Sequence, residues 1–149
     1  TRWQPSNQPA ASAIPGGASQ VGPVLVGKPG VVLAVWQEDN GGETDLKVSR
    51  STGGTWEAPV TLSRPGAQTQ PAVMANDSGI WVSWQEPGGV FIRKLSDQGS
   101  PMAEPYAVMV GGAAYRQPAI APIGSGGLVT WGVEGNEGPF SLFAQRFLP

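Results

Sequence analysis

Residues Pro71 to Trp84 read PAVMANDSGIWVSW, and this stretch recurs on both sides. Pro23 to Trp36 reads PVLVGKPGVVLAVW, and Pro118 to Trp131 reads PAIAPIGSGGLVTW. Proline and tryptophan stand 13 residues apart in each copy, and successive copies start 48 and 47 residues apart. A period in this range marks a propeller, a solenoid or an array.

Each copy divides into the same pieces. A short strand follows the proline: Val24 to Val26, Ala72 to Ala75, Ala119 to Ala121. A glycine turn comes next, at Lys28-Pro29-Gly30, Asn76 to Gly79 and Gly124 to Gly127, which is a hairpin signal. The second strand is nearly all apolar: Val31 to Gln37, Ile80 to Gln85, Leu128 to Trp131. That composition suits a strand covered on both faces. After a polar glycine loop, a third strand alternates, at Leu46 to Arg50, Val90 to Leu95 and Leu142 to Phe147. A fourth runs over Trp56 to Leu62 and again over Glu104 to Val110. The segment Gln8 to Ile14 resembles that fourth strand, and proline near its start suits an outer edge. Nowhere does an apolar helical spacing persist, so no helix longer than a turn is expected.

Each unit is thus a four-stranded antiparallel meander with two apolar faces. Radial stacking of copies buries both faces, which makes this an all-β protein of the β-propeller type with three blades. Residues 1–149 read as one three-repeat unit, with repeats at about 21–68, 69–115 and 116–149 and with residues 1–20 completing the last blade. Propellers typically close with four to eight blades. Two completions follow: two copies forming a six-bladed ring by exchanging N-terminal strands, or further blades in a longer chain. The homodimer is preferred, because unpaired strand edges invite pairing.

Composition sets further bounds. Charged residues are 13% of the chain and the net charge is −2. The nine basic residues are scattered, so no nucleic-acid footprint is read. No apolar run nears ~18 residues, and no membrane span is expected. Cysteine and histidine are both absent, which removes thiolate sites and the commonest metal ligand. Neither a metal nor another cofactor is expected. The Gln/Ser/Thr/Gly-rich, lysine-poor balance suggests an extracellular or periplasmic location.

Ser49-Arg50-Ser51-Thr52-Gly53-Gly54-Thr55-Trp56 resembles the Asp-box of BNR-type sialidases and related propellers, S-x-D-x-G-x-x-W. Ser49, Gly53, Thr55 and Trp56 match, and Ser51 replaces the aspartate. The resemblance implies a sialidase-type propeller fold, in which the box is structural. Sialidases also use an arginine triad, a Tyr–Glu pair and an acidic Asp. Arg2, Arg50, Arg64, Arg93, Arg116, Arg146, Tyr106 and Tyr115 stand in no such motif, so no catalytic residue is assigned.

The repeated Trp36, Trp84 and Trp131 are first of all candidates for packing between blades. Each also has an acid nearby (Glu38, Glu86, Glu134) and a cation on the third strand (Arg50; Arg93 or Lys94; Arg146). Such a set resembles the between-blade sites of propeller lectins. Trp81 is an additional tryptophan, and its exposure would favour binding. The leading expectation is therefore a non-catalytic, lectin-like module for carbohydrate or a protein ligand, not an enzyme. A structural fragment of a larger propeller is the alternative, and a sialidase-like glycosidase is less favoured.

Overall fold

A computed structural model describes residues 12–17, 19–62, 65–110, 114–134 and 141–149. Among these residues every regular element is a strand, and all ladders are antiparallel. The strands form three sheets in chain order, the three blades. Blade 1 holds β1 (Ser19–Lys28), β2 (Val31–Asp39), β3 (Thr44–Thr52), and an outer edge of β4 (Thr55–Trp56) and β5 (Val60–Thr61). Blade 2 holds β6 (Thr69–Asn76), β7 (Gly79–Glu86), β8 (Gly89–Leu95) and β9 (Tyr106–Val110). Blade 3 holds β10 (Ala114–Ile123), β11 (Gly126–Glu134) and β12 (Ser141–Phe147).

The first strands lie innermost, with β6 packed between β1 and β10. The expected meander order is present, through a fourth strand in blades 1 and 2 and through the third strand in blade 3 among the described residues, as is the propeller fold. The inner strands run longer than the sequence suggests. They begin before the proline because each carries a bulge there. Pairing skips between Val21 and Val24, between Thr69 and Ala72, and between Arg116 and Ala119. In each bulge the residue before proline takes a positive φ: 61° at Gly22, 53° at Gln70 and 49° at Gln117. Proline donates no hydrogen bond, so a bulge is where a paired strand tolerates it.

Alternation along the second strands builds two cores. Val35, Leu46, Ile80, Val82, Trp84 and Phe91 fill the space between blades 1 and 2. Met74, Trp81, Val90, Val129, Trp131 and Phe147 fill the next space. Polar ties reinforce both. Arg93 donates to the carbonyl of Leu62 across blades 1 and 2 at 3.3 Å. Asn76 Nδ2 donates to the carbonyl of Gly126 at 2.8 Å, joining blades 2 and 3.

The two flanks are open. On blade 1, Leu25 is 64% exposed, and on blade 3, Leu142 is 85% exposed. Strand β12 has no outer neighbour among the described residues. The expected N-terminal strand falls mainly on residues 1–11, outside the described set. Residues 12–17 form no strand and lie against blade 1, where the Gly17 N–H donates to Glu38.

The Asp-box-like segment is a hairpin. Ser51 pairs with Trp56 around Gly53 and Gly54, whose φ values are 62° and 90°. Ser49 Oγ donates to the Glu57 carbonyl at 2.7 Å. The segment thus joins third to fourth strand, the position the resemblance implies.

Candidate functional site

The three bulges meet at one end of the inner strands. The Gln70 N–H donates to Gln37 Oε1 at 3.0 Å, and the Gln117 N–H donates to Gln70 Oε1. Each glutamine side chain thus grips the bulged backbone of the next blade. Gln70 and Gln117 are the only non-glycine residues with positive φ among those described. Such strain costs on the order of 1–3 kcal/mol per residue, persists only where the surroundings impose it, and clusters at functional positions.

In register, Gln37 of blade 1 corresponds to Gln85 of blade 2 and Gly132 of blade 3. Gln85 Oε1 is buried with no hydrogen-bond partner among the described residues. Gly132 has no side chain to fill its place. A cavity of about 360 Å³ opens there, lined by Arg116, Gln117, Trp131 and Leu142 among others.

Beside this cavity, Arg116 Nη2 donates to Glu134 Oε2 at 2.9 Å and Nε to the same oxygen at 3.3 Å. Both side chains remain about half accessible. They present one cation and one carboxylate to whatever enters. Sequence reasoning missed Arg116 as a binding candidate because it precedes the repeat's first proline. Its place became visible only once the bulge extended β10 backwards.

The candidate sets around the tryptophans assemble differently from expectation. Trp36, Trp84 and Trp131 are 2%, 1% and 3% exposed. Trp84 and Trp131 pack toward the preceding blade, and Trp36 points the same way, onto the open flank of blade 1. Trp36 Nε1 donates to Glu38 at 3.4 Å and Trp84 Nε1 donates to Glu86 at 2.7 Å. Each acid lies two residues beyond its tryptophan, on the same strand face. Glu134 lies three residues beyond Trp131, so it takes the opposite face and pairs with Arg116 instead. Trp131 Nε1 is buried with no partner among the described residues.

The arginines do not join these pairs as equivalents. The cation near Trp36 and Glu38 is Lys47, 3.8 Å from Glu38. Arg50 pairs with Glu57 at 3.4 Å. Arg93 donates through Nε to the Ala103 carbonyl at 2.6 Å. Arg146 faces away from Trp131, because its cross-strand partner is Leu128. Trp81 is 8% exposed and packs on Phe147, which makes it core.

The Gly17 N–H at 2.9 Å, with the Trp36 indole, the Gln20 amide and Lys47, holds the Glu38 carboxyl below its ordinary range, although burial opposes the shift. A lowered folded pKa contributes stability above the ordinary value of 4.5, and that contribution is lost as pH falls through the folded pKa. Glu38→Gln is therefore expected to be less stable than the parent by on the order of 1 kcal/mol at pH 7. The gap should narrow in thermal melts as pH falls below 4.5 and through the folded pKa. A constant gap across that range would remove the carboxylate from the account.

No protein-family model matches the sequence, and no curated protein is similar to it. Solved structures are similar in shape. GH43B of the Bacteroides ovatus xyloglucan PUL is 16% identical, with a TM-score of 0.62 over 86% of this chain and 26% of that one. A Bacillus licheniformis GH43 endo-arabinanase is 14% identical, with a TM-score of 0.61 over 86% of this chain and 51% of that one. A Cellvibrio cellulosa α-L-arabinanase, solved with arabinohexaose, is 18% identical with a TM-score of 0.58 over 86% of this chain and 52% of that one. The chain spans about a quarter to a half of these proteins' lengths. At such identities the likeness establishes the fold, a β-propeller.

These neighbours correct the functional expectation. A non-catalytic, lectin-like module that is not an enzyme was expected from repeated tryptophans and missing sialidase motifs. The similar propellers are glycoside hydrolases. The tryptophans are packing wedges, so they carry no argument for a lectin. Nothing in the comparisons places the chain in the BNR/Asp-box sialidase family.

Proposed function

We propose that this chain is part of a propeller glycoside hydrolase acting on an arabinan- or xylan-type polysaccharide. The shared three-blade shape with arabinanases and a xylosidase carries the reading. The bulge end supports it locally, with strained glutamine backbone beside an accessible Arg116–Glu134 pair. Glycoside hydrolysis ordinarily needs two carboxylates flanking the scissile bond. Glu134 is assigned to that end as a substrate-facing acid, and the two N–H bonds from Arg116 orient it. Glu38 and Glu86 receive indole N–H groups and serve the packing.

The neighbours are five-bladed, and a ring of that size would cover both open flanks with two further blades. Strand exchange between two copies would cover them instead. A solution mass near twice 15.4 kDa by light scattering favours exchange, and a monomer favours further blades.

The functional test is release of reducing sugar from arabinan, xylan and their oligosaccharides by the full protein. Hydrolysis of one of these is expected, and Glu134→Gln should lower kcat/KM by about a hundredfold or more. Absence of release from every substrate by a folded protein rejects the activity. An unchanged Glu134→Gln rejects the assignment of Glu134.

A further inference from the structure

Blade 1 turns from β2 into β3 through Asn40, Gly41, Gly42 and Glu43, all of them exposed. The sequence holds four asparagines, and Asn40 alone is followed by glycine. In such a pair the backbone nitrogen of the second residue can attack the side-chain amide carbon of the first. A new C–N bond closes a five-membered succinimide and the bond to Nδ2 breaks. The proton shed by the backbone nitrogen leaves with Nδ2 as ammonia, and water then opens the ring to aspartate or isoaspartate. Glycine permits this best, because no Cβ crowds the attacking nitrogen and its backbone is the least restricted.

Two carboxylates engage both reacting groups in the folded turn. The Gly41 N–H donates to Asp39 Oδ1 at 2.8 Å. Asn40 Nδ2 donates to Asp45 Oδ2 at 2.6 Å. Between them the Asn40 N–H donates to the Glu43 carbonyl at 3.2 Å and fixes the turn. Ring closure needs the Gly41 proton removed and the Asn40 side chain swung onto its own backbone. Each carboxylate bond opposes one of these steps. The acidic side chains of Asp39, Glu43 and Asp45 also disfavour the negative nitrogen that makes the attack.

We infer that Asn40 is a spontaneous deamidation site, held slow by Asp39 and Asp45 for as long as the hairpin stays closed. The product carries a carboxylate where Nδ2 donated, so Asp45 meets a like charge and the turn loses a tie. The change falls where β2 ends beside the bulged part of β1. It is independent of the hydrolytic reading, since it needs neither Arg116 nor Glu134.

Peptide mass mapping after incubation in mildly alkaline buffer tests it, with isoaspartyl methyltransferase labelling of the product. Asn40 is expected to convert ahead of Asn76, which precedes Asp77 and whose Nδ2 donates to the carbonyls of Gly124, Ser125 and Gly126. Asp39→Ala and Asp45→Ala, with their fold checked by circular dichroism, should each convert about fivefold faster, the effect of losing one hydrogen bond. In urea the parent should convert faster than when folded, and the difference between parent and variants should vanish. Asn76 converting first in the folded protein, folded variants that match the parent, or no conversion of Asn40 in urea overturns the inference. A parent that converts as fast folded as unfolded overturns it without either variant.

Discussion

Trp84→Ala is expected to leave the protein largely unfolded under mild denaturant. Trp84 is 1% exposed, in the core between blades 1 and 2. Its ring stacks on Phe91 at 6.0 Å and its indole donates to Glu86 at 2.7 Å. Removing a buried tryptophan costs about 3–5 kcal/mol, since the cavity relaxes only in part. The lost hydrogen bond adds on the order of 1 kcal/mol. Whole domains have only about 5–15 kcal/mol to lose. Trp36→Ala is the control, because Trp36, though buried, lies on the blade 1 side away from blade 2 and belongs to neither interblade core. Its urea midpoint should fall by roughly half as much as that of Trp84→Ala. Equal midpoint losses would mean that these tryptophans do not act as wedges between blades.

Gly126→Ala is expected to be the most damaging single-methyl addition in blade 3. A Cβ there would lie 2.1 Å from the Phe147 carbonyl oxygen. No side-chain rotation relieves a clash with backbone, so β11 and β12 must separate. The cost is about 3 kcal/mol, the upper range for overpacking. Gly124→Ala, two residues away, meets nothing within 4 Å, and its φ of 57° is the only objection. That substitution should cost about 1 kcal/mol. Thermal melts of the two variants separate sterics from backbone preference. Near-equal losses would show that Phe147 yields easily at this junction.

The blade pattern was legible because strand period and turn chemistry repeat together. Val31 to Gln37 and Ile80 to Gln85 are apolar on both faces, and Pro71 and Pro118 mark the inner strand each time. What misled was the same proline. Read alone, it starts a strand. In the structure, the positive φ of Gln70 and Gln117 carries pairing back past it. That extension places Arg116 beside Glu134, and no local pattern announces it. The face of Glu134 was readable in principle, since three residues from Trp131 is an odd step along a strand. Which cation would sit near each tryptophan was not readable. Cross-strand register sets it, placing Lys47 opposite Trp36 where Phe91 and Phe143 oppose the other two.

Neighbouring blades are joined by two different glutamine grips, from Gln37 on a second strand to the bulge of blade 2 and from Gln70 within that bulge to the bulge of blade 3. A preceding side-chain amide accepts from the kinked backbone of its successor, whatever the surrounding loops contain. An amide oxygen within reach of the next kinked N–H is all that either joint asks of the blade before it. Loops that no joint depends on are left free to diversify.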